Sequence, residues 1–344
     1  MSPQAVAAQE SPMRAPIALE VSELRKEYRV RGAGRHVSLT AVDDVSFSIR
    51  PGETLALVGE SGSGKSTIAR CITRLVEPTA GSIEVDGKAI TGLSARRLPA
   101  AYADLQMVFQ DPTSSLDPRM TVAATLDEPL RLHTRLTKDE RRARVAQLLA
   151  DVELNDSFLE RRPRQLSGGQ RQRLSIARAL AAEPKVILLD EPTASLDVSV
   201  RGQIIRLLKR LQREHGLAYL FISHDLGVVR QMSDRVMVMY LGGIVEQGPT
   251  EEVFENPIHP YTKALLSAAP VVEYGRRHER LRLAGEIPSP MRIPAGCRLV
   301  GRCPIAEEAC ALARPDLALV SDTHAVACPV SAPDTAPVLV VPKT

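Results

Sequence analysis

Short apolar runs bounded by turn-forming residues recur along the chain. They cover residues 53–59, 81–85, 186–189 and 218–223, and two more flank Gly242-Gly243 within residues 235–247. Apolar runs of this length are typical of buried strands, and a glycine pair between two of them is typical of a hairpin. The pattern therefore predicts a sheet built from segments spread over much of the chain.

Helical spacing replaces these runs in two places. Residues 67–75 read as a helix directly after the first buried strand, and residues 112–163 have helical character throughout. Thr137 and Glu140 fit a capping box, and behind them apolar residues recur every three or four positions, at Val145, Leu148, Leu149 and Val152. Strands that alternate with helices predict an α/β fold with a largely parallel sheet, into which the helical stretch is inserted.

Composition narrows the class of protein. The 344 residues include 44 basic and 41 acidic side chains, no Trp and 3% aromatic residues, which argues against nucleic acid as a partner. No apolar run approaches the roughly 18 residues that a membrane span needs, and the N-terminus lacks the apolar core of a secretory signal. We therefore expect a cytoplasmic protein whose role at a membrane, if it has one, is peripheral.

A phosphate-binding loop follows the first buried strand. The segment fits the pattern G-x-x-x-x-G-K-[ST], with the residues Gly59, Glu60, Ser61, Gly62, Ser63, Gly64, Lys65, Ser66 and Thr67. Its glycines let successive N–H groups converge on phosphate oxygens at the start of a helix. We expect Lys65 to supply a positive charge to the β- and γ-phosphates of ATP, and Ser66 a hydroxyl ligand to Mg²⁺.

Two acids end the buried strand at residues 186–189. Asp190 and Glu191 follow it directly, and ligands bind at this end of parallel strands. We expect Asp190 to hold Mg²⁺ through water, and Glu191 to orient or deprotonate the water that attacks ATP.

A second glycine-rich segment, Leu166-Ser167-Gly168-Gly169-Gln170, lies some 20 residues before these acids. On its own it could be the capped start of a helix. Together with the phosphate loop and the acidic strand, it makes the chain resemble the ATPase subunits of ABC transporters. The resemblance implies that Ser167, Gly168, Gly169 and Gln170 of one subunit cover the γ-phosphate of ATP bound to another. Ser and two glycines at a helix N-terminus are suited to binding an anion.

The resemblance also implies further site residues and a fold. Gln110 matches the glutamine that contacts Mg²⁺ or water and signals to the membrane partner, His224 matches the switch histidine at the γ-phosphate, and Tyr28 lies where the family stacks an aromatic ring on adenine. The implied fold is α/β, with a P-loop NTPase (RecA-like) core, an antiparallel N-terminal β subdomain and an inserted helical subdomain at about residues 111–171. The predicted domains are a disordered leader (1–18), an ABC ATPase domain (19–265) and a small irregular C-terminal extension (266–344).

The extension indicates which transporters are most similar. The segment His259-Pro260-Tyr261, together with residues 110–118, resembles the ATPases of dipeptide/oligopeptide importers.

Four cysteines follow, at Cys297, Cys303, Cys310 and Cys328, whereas Cys71 stands alone. Their spacing fits zinc poorly but suits a [4Fe–4S] cluster, which some members of the subfamily hold in this way. Free cysteines that pack the extension are the alternative.

The chain is thus predicted to be the ATP-hydrolysing subunit of an importer for di- or oligopeptides. The implied partners are two transmembrane permease subunits, a second ATPase subunit and an extracytoplasmic solute-binding protein, with the chain at the cytoplasmic face of the inner membrane. The alternatives are an importer of nickel or another solute, an exporter, and a soluble ABC-type ATPase that acts on nucleic acid or ribosomes.

Overall fold

The computed structural model describes residues 16–32, 35–268, 283–286, 288–333 and 336–337. Residues 1–15 of the predicted leader lie outside this part of the chain, as do the last residues, 338–344. Ala18, at the end of the predicted leader, is buried and donates its N–H to the Ile49 carbonyl at 2.9 Å.

The strands of the described residues are, in chain order, β1 (Leu19–Gly32), β2 (Arg35–Ile49), β3 (Thr54–Val58), β4 (Ala80–Val85), β5 (Lys88–Ala89), β6 (Leu105–Val108), β7 (Val186–Asp190), β8 (Ala218–Ile222), β9 (Arg235–Tyr240), β10 (Gly243–Pro249), β11 (Ala318–Leu319), β12 (Ala325–Val326) and β13 (Ala336–Pro337). The helices are α1 (Lys65–Ile72), α2 (Leu98–Asp104), α3 (Pro112–Ser115), α4 (Val122–His133), α5 (Lys138–Asp151), α6 (Gly168–Leu180), α7 (Val198–His215), α8 (Leu226–Met232), α9 (Thr250–Glu255), α10 (Pro260–Ala268) and α11 (Ala309–Leu312).

A parallel sheet forms the centre of the molecule. Its strands lie in the order β9-β3-β8-β7-β6, and each pairs in parallel with its neighbour. All five residues of β3, of β7 and of β8 are buried, as expected of strands that are covered on both faces. The prediction of an α/β fold with a parallel sheet is confirmed, and the carboxyl ends of β3, β6, β7 and β8 meet along one edge.

The N-terminal subdomain is an antiparallel sheet in the order β2-β1-β4-β5. Its inner face packs on α1 and on one face of the parallel sheet, in a cluster that includes Val45, Ile49, Ile68 and Leu55. This packing fixes helix α1, and therefore the loop that precedes it, between two sheets.

The inserted helices lie between β6 and β7, as the sequence predicts. Thr137 caps α5, and the Thr137–Glu140 capping box is present. Val145, Leu148 and Leu149 of this helix are buried. They join the main apolar cluster, which also takes in Leu174 of α6. The insertion is therefore packed on the helix that follows residues 166–167.

The C-terminal region continues the central sheet. Strands β9 and β10 form the predicted hairpin, with Leu241 and Gly242 at positive φ in its turn. Beyond β10 the sheet adds β12, β11 and β13, all antiparallel, to give nine strands among the described residues. The extension is thus irregular in its loops but is joined to the ATPase core by backbone hydrogen bonds.

Within the ranges that the structure describes, no helix combines the length and the apolar character that crossing a bilayer requires.

Candidate functional site

The loop between β3 and α1 depends on its glycines. Gly62 and Gly64 have φ of 79° and 115°, in the region that disfavours side chains. A Cβ on Gly64 would also lie 2.6 Å from Met239 Cε and closer still to the Ala41 carbonyl oxygen. The sequence pattern predicts this curled loop, and the surrounding strands leave no room for another residue at Gly64.

The Lys65 side chain folds along the loop. Its Nζ donates to the carbonyls of Gly59 and Glu60 at 2.8 and 2.9 Å, and lies 3.4 Å from Ser63 Oγ. Burial lowers the pKa of Lys65, and the charges of Glu191, Asp190 and Glu60 oppose that shift. The ammonium of Lys65 is therefore surrounded by three oxygen atoms of the loop and lies near the two acids at the end of β7.

Asp190 is the buried member of the acid pair. Ser66 Oγ donates to Asp190 Oδ1 at 3.5 Å, which brings two of the three predicted Mg²⁺ ligands together; the third, Gln110, contacts Glu191 instead. Burial raises the pKa of Asp190, and Glu191 adds to the rise, whereas Ser66, Arg70 and Lys65 oppose it. The hydroxyl of Ser66 and the carboxylate of Asp190 are oxygen ligands of the kind that a hard divalent cation prefers. Two neighbouring carboxylates, those of Asp190 and Glu191, also favour an added positive charge here.

Glu191 is held by Gln110 and His224, the two residues that the family resemblance assigned to the Mg²⁺ or water and to the γ-phosphate. Gln110 Nε2 donates to Glu191 Oε2 at 2.9 Å, and His224 Nδ1 lies 3.1 Å from Glu191 Oε1. These side chains follow β6, β7 and β8, so three neighbouring parallel strands deliver them to one point. Glu191 itself has φ of 48°, and its N–H donates to the Ile222 carbonyl at 2.9 Å.

A cleft of about 670 Å³ joins the loop to this acid. It is lined by Tyr28, Leu39, Ala41, Ser61, Gly62, Gly64, Lys65, Ser66, Thr67, Gln110, Glu191, His224 and Pro290. Most of the predicted ATP-site residues therefore share one cavity, and Tyr28 lies at it with Lys26 Nζ 4.9 Å from its ring centroid. Pro290 comes from the C-terminal extension, and no pattern in the sequence pointed to it.

The second glycine-rich segment is not part of this cleft. Ser167 caps α6, with Ser167 Oγ accepting from the Gln170 N–H at 3.3 Å and Gln170 Oε1 accepting from the Ser167 N–H at 2.9 Å. Gly169 packs so closely on α7 that a Cβ there would lie 2.7 Å from Val200 Cγ1. The structure thus places Ser167, Gly168, Gly169 and Gln170 at an ordered helix start, away from the phosphate loop of the same chain.

The four cysteines of the extension are near one another but are not arranged as a metal site. Burial raises the pKa of Cys297, and the charges of Cys310, Cys328 and Cys303 add to that rise. The Cys297 N–H also donates to the Cys310 carbonyl at 2.7 Å. Nevertheless, the part of the chain that the structure describes contains no group of three or more His, Cys, Asp or Glu residues that could hold a metal ion. As they lie, these cysteines do not fit a [4Fe–4S] cluster.

Comparison with known proteins agrees with the ATP site and with the fold described above. Residues 42–194 match the family model of the ABC transporter, and residues 245–310 match that of the oligopeptide/dipeptide transporter C-terminal region. The di/tripeptide transport ATP-binding protein DppF of Pseudomonas aeruginosa (strain UCBPP-PA14) is 45% identical over 90% of this chain and 96% of its own length. The oligopeptide transport ATP-binding protein AppF of Bacillus subtilis (strain 168) is 47% identical over 90% and 96%.

A solved structure has the same fold. The dimeric ATP-binding cassette MJ0796, bound to ADP and phosphate in a post-hydrolysis state, superposes with a TM-score of 0.61 at 33% identity. The match covers 67% of this chain and 98% of that one. The chain therefore belongs to the ATP-hydrolysing subunits of ABC transporters, in the group that carries the oligopeptide/dipeptide transporter C-terminal region.

Proposed function

We propose that this chain hydrolyses ATP to drive the import of di- or oligopeptides, with Glu191 as the catalytic base. The observation that carries the assignment of the base is the pair of contacts from Gln110 and His224, one to each carboxylate oxygen of Glu191. They fix the direction of a carboxylate that is only 17% exposed and lines the same cleft as the phosphate loop. A fixed, shielded carboxylate is suited to taking a proton from water.

The reaction follows from these positions. The phosphates of ATP lie against the N–H groups of residues 62–67, and Lys65 neutralises part of their charge. Ser66 and Asp190 would hold Mg²⁺, whose charge supports the phosphate oxygens when it is bound. Glu191 takes a proton from the attacking water. The water oxygen bonds to the γ-phosphorus, the bond from that phosphorus to the bridging oxygen of ADP breaks, and ADP leaves. His224 and Gln110 orient Glu191, and Tyr28 would pack against the adenine.

Glu191→Gln tests the base. The amide keeps the shape of the side chain but cannot accept the proton, so we expect ATP to bind normally while hydrolysis falls by about 10²-fold or more. The control is Glu214→Gln, the same change on α7 in a side chain that is 49% exposed and pairs with Arg210. Radiolabelled or fluorescent nucleotide binding and phosphate release measure the two steps. Hydrolysis at the wild-type rate in Glu191→Gln would remove this residue from the mechanism.

A second ATPase subunit, identical or related, is proposed to complete the site. Ser167 and the glycines after it are exposed or half-buried and lie outside the cleft of their own chain, which supports a contact with ATP held by a partner. The dimeric state of the cassette MJ0796 is consistent with this. Hydrolysis per chain that rises with protein concentration would support a shared site. So would a mixture of Ser167→Ala and Glu191→Gln proteins that hydrolyses ATP faster than either variant alone, because one of the two sites in a mixed pair then has both residues intact. A rate per chain that does not change on dilution would contradict it.

The permease is proposed to bind next to Gln110. A groove between β6 and α4 lies there, and its apolar residues Leu75, Phe109 and Leu132 are 58%, 37% and 69% exposed. As the ATP-binding subunit of a transporter, the chain is peripheral to the membrane, and we assign it to the cytoplasmic face, where ATP is available. Co-purification of two permease subunits from membranes tests this. Capture of ribosomes or nucleic acid instead would favour the alternative class of ABC-type ATPase.

Peptides are proposed as the solute because residues 245–310 match the oligopeptide/dipeptide region and the relatives named above transport peptides. The assembled transporter would also need an extracytoplasmic solute-binding protein. Uptake of labelled di- and oligopeptides by cells that carry or lack this chain tests the solute. Loss of nickel uptake alone would identify a metal importer.

The [4Fe–4S] cluster stays a prediction. The backbone contact of Cys297 with Cys310 and the cavity that both line support it, whereas the arrangement of the four cysteines does not. Iron and acid-labile sulfide analysis of protein purified without oxygen would give about four iron atoms per chain if the cluster is present. Protein without iron, or iron that persists when Cys303 is changed to Ser, would contradict it.

A further inference from the structure

A tyrosine of the C-terminal region touches the phosphate loop. Tyr261 lies at the start of α10, and only 1% of it is exposed. Its hydroxyl accepts the backbone N–H of Glu60, the second residue of the loop, at 2.8 Å. Burial raises the pKa of Tyr261, so the hydroxyl stays neutral and remains a hydrogen-bonding group over the physiological pH range.

This contact holds one side of a peptide whose other side faces Lys65. The Gly59 carbonyl belongs to the same peptide as the Glu60 N–H, and it accepts from Lys65 Nζ at 2.8 Å. In a trans peptide the C=O and N–H point in opposite directions. Rotation of this peptide would therefore break both hydrogen bonds, so Tyr261 fixes the carbonyl that positions the lysine.

The side chain of Glu60 is held by the same region. Arg302 Nη1 lies 3.5 Å from Glu60 Oε2 and 3.3 Å from the hydroxyl of Tyr240. The rings of Tyr240 and Tyr261 pack with centroids 4.6 Å apart. Arg302 is 11% exposed and Glu60 30% exposed, so the ion pair between them is partly shielded from water. Backbone and side chain of Glu60 are thus both anchored from outside the loop.

Tyr261 is itself held by a rigid turn. Its N–H donates to His259 Nδ1 at 3.1 Å. The N–H groups of Ile258 and His259 donate to the two carboxylate oxygens of Glu246, at 2.8 and 3.0 Å, and Glu246 is fully buried in β10. The tyrosine hydroxyl is therefore connected to the central sheet through a short series of buried hydrogen bonds.

We propose that Tyr261, together with Arg302, is a positioning residue for ATP: it holds the peptide between Gly59 and Glu60 so that Lys65 stays in place for the phosphates. The proposal rests on ATP binding and hydrolysis and does not depend on which solute is carried. It gives the C-terminal region a role inside the ATPase cycle, through contacts to a loop some 200 residues earlier in the chain.

Tyr261→Phe removes one oxygen and keeps the ring. Because a hydrogen bond of this kind has a modest net value, we expect ATP and ADP to bind about 2- to 10-fold more weakly. Hydrogen exchange at the amides of residues 59–66 should also become faster, because the Glu60 N–H loses its acceptor. Both effects should appear with a single, cooperative thermal transition.

Tyr219→Phe is the matched control. Tyr219 is a fully buried tyrosine of β8, and its hydroxyl donates to the Leu208 carbonyl at 3.1 Å, with no contact to the loop. We expect this variant to lose thermal stability to a similar extent while binding ATP with the wild-type Kd. Equal loss of ATP affinity in both variants, or wild-type affinity in Tyr261→Phe, would overturn the proposal.

Arg302→Gln gives an independent measurement. It should raise the KM for ATP more than it lowers kcat, because the loop still forms but is held less firmly. Glu60→Gln should do the same, and the double variant should lose little beyond either single variant, since both remove one shared interaction. Additive losses from the two changes would mean that Arg302 acts only through packing on Tyr240, and Arg302 would leave the proposal.

Discussion

At the scale of single residues, Asp190 and Glu191 are adjacent in the chain, but their carboxylates face different groups. Asp190 ends β7 and faces Ser66, whereas Glu191 enters a left-handed backbone conformation that turns its carboxylate toward Gln110 and His224. Such a conformation costs on the order of 1–3 kcal/mol for a residue with a side chain, and it persists where surrounding contacts fix it. Here the contact that fixes it is the backbone hydrogen bond to Ile222.

The loop glycines give a prediction at this scale. Gly64→Ala should weaken ATP binding by more than about 10-fold, because the new Cβ meets the Ala41 carbonyl and the loop must shift. Gly216→Ala is the control, since this glycine at the end of α7 also has positive φ and open space around it but lies outside the cleft, so the cost is limited to local backbone strain of about 1–2 kcal/mol. Nucleotide Kd and thermal midpoint, measured for both, separate the two effects. Similar ATP affinities would show that the close packing at Gly64 is unimportant.

At the scale of elements, two helices begin with the same device. Thr137 of α5 and Ser167 of α6 both form capping boxes with the residue three positions later. Each cap satisfies N–H groups that the helix itself cannot. Only one of the two caps belongs to the proposed ATP contact.

Variants of these two capping residues distinguish the effect of a lost helix cap from an effect on ATP hydrolysis. Thr137→Ala and Ser167→Ala should each cost about 1 kcal/mol in the free energy of unfolding, because each removes one cap. Ser167→Ala should in addition slow ATP hydrolysis by about 10-fold or more, because a hydrogen bond to a charged phosphate is stronger than a neutral one. Urea denaturation and phosphate release measure the two quantities. A similar slowing in Thr137→Ala would show that helix stability alone explains the loss.

The elements also show how far local patterns reach. The capping box of α5, the runs of β7 and β8 and the hairpin of β9 and β10 were predictable because each depends on residues a few positions apart. Helix α1 was predicted at residues 67–75 but spans Lys65–Ile72, because Arg74 takes a positive φ that ends the helix and leaves no sign in the pattern.

Contacts between distant segments were not predictable in this way. Gln110 and His224 were expected at the ATP site only because of the resemblance to a family, and their contacts with Glu191 were not predicted. Neither Pro290 at the cleft nor the contact of Tyr261 with Glu60 was expected. Strands β11, β12 and β13 have two residues each, which is too short for any periodicity, so only their pairing with neighbouring strands defines them: β12 with β10, β11 with β12, and β13 with β11.

At the scale of the whole molecule, the buried histidines His259 and His324 join the C-terminal region to β10, and their pKa values are shifted in opposite directions. Burial lowers the pKa of His259 to about 4; Lys263 lowers it further and Glu246 opposes the shift. Burial also acts to lower the pKa of His324, but hydrogen bonds and charges of Glu246 and Glu252 outweigh it and raise the pKa.

A pH dependence follows from His259. Its pKa in the folded protein lies below the unfolded value of about 6.5, so its contribution to stability is complete above that pH and is lost as the pH falls toward about 4. His259→Asn keeps an acceptor for the Tyr261 N–H but cannot titrate. We expect its thermal midpoint to fall less steeply than that of the wild type between about pH 7 and pH 5. His324 has the opposite sign and is unchanged in both proteins, so it cancels from the comparison.

The control for this prediction is His215→Asn, which changes an exposed histidine at the end of α7. A flatter curve in His259→Asn but not in His215→Asn would assign the effect to His259. Parallel curves for His259→Asn and the wild type would show that the charge state of His259 does not affect folding.

The added strands of the sheet also matter while the chain is being made. Strand β12 covers β10, which would otherwise be the open edge of the central sheet. About 75 residues separate the two, so at about 5–20 residues per second the ribosome needs roughly 4–15 s to deliver the cover after β10 has been made. During that interval the newly made ATPase core presents an unpaired strand edge that can pair with another chain. The C-terminal region therefore also protects the new chain from aggregation, a hazard that is greatest where synthesis is slow or stops before residue 325.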